Sequence, residues 1–104
     1  MKSKPGKDKI FSKNNFLLSI IIPSYNESKT IGEILERVLA VNIKKEIIFV
    51  DDGSSDNSMD IARSFEGRGA FTFIRNEKNM GKGASVRRGI SYAGGDIIII
   101  QDAD

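Results

Sequence analysis

Three acidic clusters hold the residue types able to do chemistry: Glu27 beside Tyr25, Asp51-Asp52, and Asp102-Ala103-Asp104. In extended backbone, positions two apart point to one side, so Asp102 and Asp104 are expected to present two carboxylates together. Oxygen donors with open positions for substrate phosphates are what Mg²⁺ prefers. The chain has no His and no Cys. That excludes a histidine base, a Ser-His-Asp triad, thiolate zinc and cysteine nucleophiles. Metal chemistry then falls to carboxylates, which suit Mg²⁺ or Mn²⁺ rather than zinc or copper. Acidic pairs in loops are usually just solvated. This pair is set apart by directly following Ile97-Ile98-Ile99-Ile100, an apolar run that reads as a buried strand.

The remaining clusters each bear two readings. Asp51 and Asp52 either belong to a turn with a helix cap or are surplus acids at a cleft, able to accept hydrogen bonds from a base or sugar. Ser54, Ser55 and Asp56 can do the capping without them. Tyr25 can stack on a nucleobase while Glu27 accepts from its N–H groups. Equally, the tyrosine can pack on the following helix and the acid can favour that helix's N-terminus. Asn79-Met80-Gly81-Lys82-Gly83 opens a helix where free N–H groups and Lys82 can meet a phosphate. Arg75, Lys78, Arg87 and Arg88 lie nearby, and a solvated basic face is the alternative. The acidic neighbourhood argues against a nucleic-acid partner. Neither a G-x-G-x-x-G after the first strand nor a G-x-x-x-x-G-K-[ST] loop is present. Asn26-Glu27-Ser28 matches a glycosylation sequon, with no secretion signal to bring it into use.

These clusters need elements to position them. With 104 residues and 39% apolar composition, the chain is one domain or part of one. Strands are expected at 16–22 (ended by Pro23), 45–50, 70–75 and 97–100. Helices are expected at 30–40, 56–65 and 82–93. Thr30 and Glu33 have capping-box spacing, and Ile31, Ile34, Leu35, Val38 and Leu39 form one helical stripe. Met59, Ala62 and Phe65 should face inward, as should Val86 and Ile90, with Gly94-Gly95 as a C-cap. The order β-α-β-α-β-α-β predicts an α/β fold, a parallel sheet with helices on both faces. Ligands of such sheets bind beyond the carboxyl ends of the strands. All three acidic clusters fall there.

The net charge of +2 conceals a division. Lys2, Lys4, Lys7, Lys9 and Lys13 against Asp8 put +4 on the start of the chain, leaving −2 on the rest. Residues 1–15 read as a flexible lysine-rich tail, either merely solvated or weakly drawn to anionic lipid or nucleic acid. The tail lacks the apolar region of a secretory signal, and no apolar run approaches the ~20 residues that span a bilayer. A cytoplasmic location is expected, with peripheral contact at the cytoplasmic face of a membrane.

Four stretches together resemble family 2 glycosyltransferases of the GT-A fold, especially the dolichyl- or polyprenyl-phosphate mannosyl- and glucosyltransferases. They are Ile20 to Glu27, Glu46 to Asp56, Asn79 to Ala84, and Gly95 to Asp104. The resemblance covers about residues 17–104. It implies a Rossmann-like, nucleotide-diphospho-sugar-binding half. Pro23, Tyr25 and Glu27 would line the base pocket, with Val50 and Asp52 beside base and ribose. Asp102 would contact ribose or metal, Asp104 would hold Mg²⁺ or Mn²⁺, Ala103 would add backbone contacts, and Lys82 would lie near the phosphates. The implied reaction moves a hexose, with inversion, from a donor of GDP-mannose or UDP-glucose type to a polyprenyl or dolichyl phosphate. Family members continue beyond the D-x-D motif into an acceptor-binding half, so a truncated chain is expected. Marginal stability or self-association of its exposed sheet should follow. The alternative is a donor-binding module without turnover. A nucleotidyltransferase of similar topology is disfavoured, because Pro23 to Glu27 is neither Gly-rich nor basic.

Overall fold

The computed structural model describes residues 16–104; the lysine-rich tail lies outside the described residues. Strand β1 spans Leu18–Ser24, helix α1 Ile31–Ala40, β2 Lys45–Asp51 and α2 Ser58–Arg63. A single 3₁₀ turn at Glu66–Arg68 leads to β3 (Phe71–Arg75), followed by α3 (Lys82–Ile90) and β4 (Ile97–Ile100). The sheet order is β3-β2-β1-β4, and every pairing is parallel. The chain winds outward from β1 through β2 to β3, then crosses back to add β4 on the other side of β1. The direction of winding therefore reverses between β1 and β4, the place where such sheets open a crevice.

One face of the sheet offers Ile20, Ile22, Ile47 and Phe49 to Ile31, Leu35 and Val38 of α1 and to Met59 and Ala62 of α2. Phe65 closes this layer. Ile21, Ile48, Val50 and Ile74 form the opposite layer, covered by α3. Each large side chain buried here contributes about 1.5–3 kcal/mol. The expected inward set of α1 and α2 is thus observed.

Helix α3 differs from its expected packing. Ser85 and Gly89 are its buried positions, while Ile90 is 43% exposed. A Cβ on Gly89 would stand 2.7 Å from Ile21 Cγ2, so the helix rests against β1 through the absence of a side chain. Gly94 and Gly95 do not cap it either, since α3 ends at Ile90 with Ser91 as C-cap. Instead the Gly94 and Gly95 N–H groups donate to Glu46 Oε2 and Ser19 Oγ, at 2.7 and 2.8 Å. They moor the approach to β4. Thr30 makes no side-chain cap on α1.

β4 is not buried. Its four isoleucines are each 40–41% exposed, because among the described residues the strand has a neighbour on one side only and joins neither buried core layer. Its pairing with β1 stops at Ile21↔Ile100, with one further bond from Gln101 N–H to Ile21 O. Pro23 lies inside β1 rather than ending it, and β1 continues against β2 to Ser24↔Asp51. Among the described residues no helix is long and apolar enough to cross a membrane.

Candidate nucleotide-sugar site

The crevice at the carboxyl ends of β1, β2 and β4 is a cavity of about 360 Å³, within the range of small-ligand sites. Pro23, Ser24, Tyr25 and Glu27 form one wall. Asp52, Asn79, Gly81, Lys82 and Ser85 form a second, and Asp102, Ala103 and Asp104 a third. The structure thus brings together eight of the nine residues named from sequence. Val50 is the exception. It faces α3 from the core, wholly buried, and can support the site only from behind.

The Asp102–Asp104 segment has no regular secondary structure, yet its alternation survives. Ala103 is buried, whereas Asp102 and Asp104 are exposed on the cavity. The anchor is Thr30, whose hydroxyl donates to Ala103 O at 2.5 Å. That bond explains why Thr30 does not cap its own helix. Lys82 Nζ donates to Asp102 Oδ1. The Asp102 hydrogen bond and charge, reinforced by Asp104, push the Lys82 ammonium above the ordinary lysine range.

Asp51 and Asp52 part company. The strand carries through Asp51, so successive side chains point to opposite faces. Asp51 is wholly buried away from the cavity, accepting from Ser54 N–H at 3.0 Å with Arg75 Nε at 3.9 Å. Its other oxygen, Oδ1, has no partner among the described residues. The expectation of two surplus acids at the cleft is corrected to one.

Asp52 lines the cavity and clasps its second wall. Oδ1 accepts from Asn76 Nδ2 and Met80 N–H, both at 2.8 Å, and Oδ2 accepts from Gly81 N–H at 2.9 Å. Burial works against the charged form, but hydrogen bonds from Met80, Asn76, Gly81 and Ser85 outweigh it and lower the pKa. A depressed folded-state pKa means stability that is full above the unfolded value of ~3.9 and is lost as pH falls through the folded one. Urea unfolding from pH 6 down to pH 3 is therefore expected to show steeper acid destabilisation in the parent chain than in Asp52→Asn. Equal slopes would contradict the assignment.

Asn26, with φ of 52°, ties the first wall to the loop after β2. Its Oδ1 accepts from Ser55 N–H at 2.8 Å, and its own N–H donates to Ser54 Oγ at 2.8 Å. Glu27 N–H donates to Ser58 Oγ at 2.9 Å, while Glu27 O accepts from Ile31 N–H to start α1. Glu27 thus stands at the start of α1 and also lines the cavity. Of the basic cluster only Lys82 lines this cavity. Lys78 and Arg88 flank a separate hollow with Met80 and Ala84, on the other side of the same loop. Asn76 and Ser85 carried no chemical signal in sequence, being ordinary polar residues of a loop and a helix.

Residues 19–104 match the family described as Glycosyl transferase family 2. The chain belongs to that family. Among curated relatives, poly-beta-1,6-N-acetyl-D-glucosamine synthase of Staphylococcus aureus is 38% identical over 88 residues, 84% of this chain and 21% of that protein. Dolichyl-phosphate beta-glucosyltransferase ALG5C of Trichomonas vaginalis is 34% identical, over 91% of this chain and 31% of its own. The chain thus spans about a fifth to a third of the length of these family 2 relatives. The mannosyltransferase PcManGT of Pyrobaculum calidifontis, solved with GDP-Man and Mn²⁺, superposes with a TM-score of 0.80. It is 28% identical, covering 84% of this chain and 27% of that one. S. aureus TarS 1–349 with UDP-GlcNAc gives a TM-score of 0.81 at 26% identity, covering 84% and 26%. The fold is that of GT-A glycosyltransferases.

The donor set fits a hard divalent cation of the kind present in PcManGT. Asp102 and Asp104 offer exposed carboxylate oxygens at the cavity. Among the described residues no three acidic side chains converge into a metal cluster. Ligand oxygens would have to complete the coordination, which is how Mg²⁺-type ions are held beside phosphates.

Proposed function

We propose that this chain is the donor-binding part of an inverting glycosyltransferase. In this reading a hexose passes from a nucleotide-diphospho-sugar, of GDP-mannose or UDP-glucose type, to a polyprenyl or dolichyl phosphate. The supporting observation is the convergence of Tyr25, Glu27, Asp52, Lys82, Asp102 and Asp104 on one cavity. Tyr25, 45% exposed at the rim, offers an aromatic face to the base. Asp52 lines the cavity with a carboxylate that its hydrogen bonds keep charged. In this reading that carboxylate faces the nucleoside. Lys82 and the Asp102–Asp104 pair face the diphosphate. Mg²⁺ or Mn²⁺ held by that pair would supply charge neutralisation as the nucleoside diphosphate departs. A lipid-phosphate acceptor is already anionic, so a chain without histidine meets no need for a strong general base.

The test is calorimetric titration of the chain with UDP-glucose and GDP-mannose, with and without Mn²⁺. Binding of one donor, tightened by Mn²⁺, is expected. A folded chain that binds neither donor under either condition would overturn the proposal.

A further inference from the structure

We propose that Asn76 is a positioning residue of the donor site, setting Asp52 and the Met80–Gly81 loop in their binding geometry. The inference rests on the donor-site reading above and adds to it a residue with no contact to the cavity's contents. Asn76 follows β3 and is buried. Its backbone N–H donates to Asp51 O at 2.8 Å, continuing the sheet by one bond past the strand. Its carboxamide is fully used. Nδ2 donates to Asp52 Oδ1 at 2.8 Å and to Ser85 Oγ at 3.0 Å, while Oδ1 accepts from Arg88 Nη1 at 2.6 Å. Arg88 also donates to Arg75 O at 3.1 Å.

The orientation of this amide is dictated by its partners. Arginine can only donate and a carboxylate can only accept, so the oxygen must face Arg88 and the nitrogen Asp52. An aspartate, serine or apolar residue cannot meet all three demands. The two carboxylate oxygens of Asp52 then have fixed directions, and these directions hold Met80 and Gly81. Gly81 immediately precedes Lys82 and lines the cavity with it. One buried amide therefore sets two things at once: the direction of the Asp52 carboxylate and the starting point of the Lys82 helix. A buried group with every donor and acceptor matched is what holds a site to one geometry. A polar side chain placed only for folding has no reason to join a cavity carboxylate to an exposed arginine.

Asn76→Asp is isosteric, removes both donors and puts a second carboxylate against Asp52. Two carboxylates at hydrogen-bond distance share a proton, so their joint titration moves up. The charged groups meeting position 76 are Asp52 and Arg88. The first readout is amide hydrogen exchange at Met80 and Gly81 without nucleotide, followed by NMR. Exchange at both is expected to rise at least tenfold in Asn76→Ala and in Asn76→Asp at neutral pH, with the strand amides of β1 and β2 unchanged. The second readout is UDP and GDP affinity in Mn²⁺. It is expected to fall at least tenfold in both variants and to recover between about pH 8 and pH 5 in Asn76→Asp alone, as the shared proton restores the missing donor. Arg88→Met frees the amide to flip without removing a buried group, and should shift both readouts the same way by a smaller factor.

Unchanged exchange at Met80 and Gly81 in all three variants overturns the inference. So does a loss of affinity that is equal at every pH while the loop amides stay protected, for that is mere structural damage. If the parent chain binds no nucleotide at all, the donor-site reading fails, and the exchange measurement alone decides the role of Asn76.

Discussion

Asp104→Asn is expected to bind UDP-glucose or GDP-mannose equally well with and without Mn²⁺. In the parent chain Mn²⁺ should tighten binding by at least the roughly 10–100-fold that even an indirect partner of a metal ligand is worth. The carboxamide keeps the shape of the side chain and one oxygen, but loses the charge that draws a divalent ion. Asp104 is exposed on the cavity, so the thermal midpoint should stay within about a degree or two, as for surface substitutions generally. Asp102→Asn provides an informative contrast. There the loss of charge also releases Lys82 from its ion pair, and the freed ammonium can reach the diphosphate by itself. Asp102→Asn should therefore keep more metal-independent affinity than Asp104→Asn. Mn²⁺-enhanced binding that persists in Asp104→Asn would remove the metal from the proposed site.

The second large effect is a matter of backbone. Gly53 has φ of +77°, and a Cβ there would fall 2.6 Å from Lys78 C and 2.7 Å from Asn79 N. Both are main-chain atoms and cannot swing aside. Gly53→Ala is expected to cost about 1–2 kcal/mol for the left-handed backbone and about 1–3 kcal/mol more for the clash. A domain of this size loses ~4–8 °C per kcal/mol, so the midpoint should fall by more than ~10 °C. Asn79 lines the cavity, so surviving folded protein should also bind donor more weakly. Gly81→Ala separates the two causes, because Gly81 has φ of +99° with nothing within 4 Å of its would-be Cβ. It should show a backbone cost without a clash, about 1–3 kcal/mol for the glycine-only region at φ 99° and ψ 155°. Gly67→Ala, with open space and no positive φ, should be close to neutral. Thermal unfolding followed by circular dichroism compares all three. A Gly53 variant that loses no more than the ~1–2 kcal/mol of the left-handed backbone alone would contradict the clash.

Strands β1, β2 and β4 are legible because isoleucine-rich runs bounded by Pro, Gly and Asp admit few other readings, and β3 follows more weakly from Phe71-Thr72-Phe73-Ile74. The position of the site follows from topology, since acids placed after parallel strands gather at one rim. Four features escaped for definite reasons. Apolar periodicity marks bulky residues, so it selected Val86 and Ile90 as the inner face of α3, when the face that fits β1 closely is Ser85 and Gly89. Four successive isoleucines read as a buried strand, but burial depends on neighbours, and β4 has only one. Thr30 has the spacing of a capping box, yet its hydroxyl is spent on Ala103, a partner 73 residues away that no local pattern can reveal. Asp51 and Asp52 look equivalent as a dipeptide. Only knowing that β2 runs through Asp51 sends one inward and the other to the cavity.

Pro23 carries a consequence for how the crevice persists. Alternate residues here direct their backbone groups to β4, as Leu17 just before β1 and Ile21 within it do by accepting from Asp96, Ile97 and Gln101. Pro23 is next in that series and has no hydrogen to give. The zipper between the two strands therefore lacks its next tooth, and Gln101 to Asp104 is left free to veer away. The pairing of β1 with β4 thus ends where the crevice begins. Any other residue at that position would restore a backbone donor facing the end of β4.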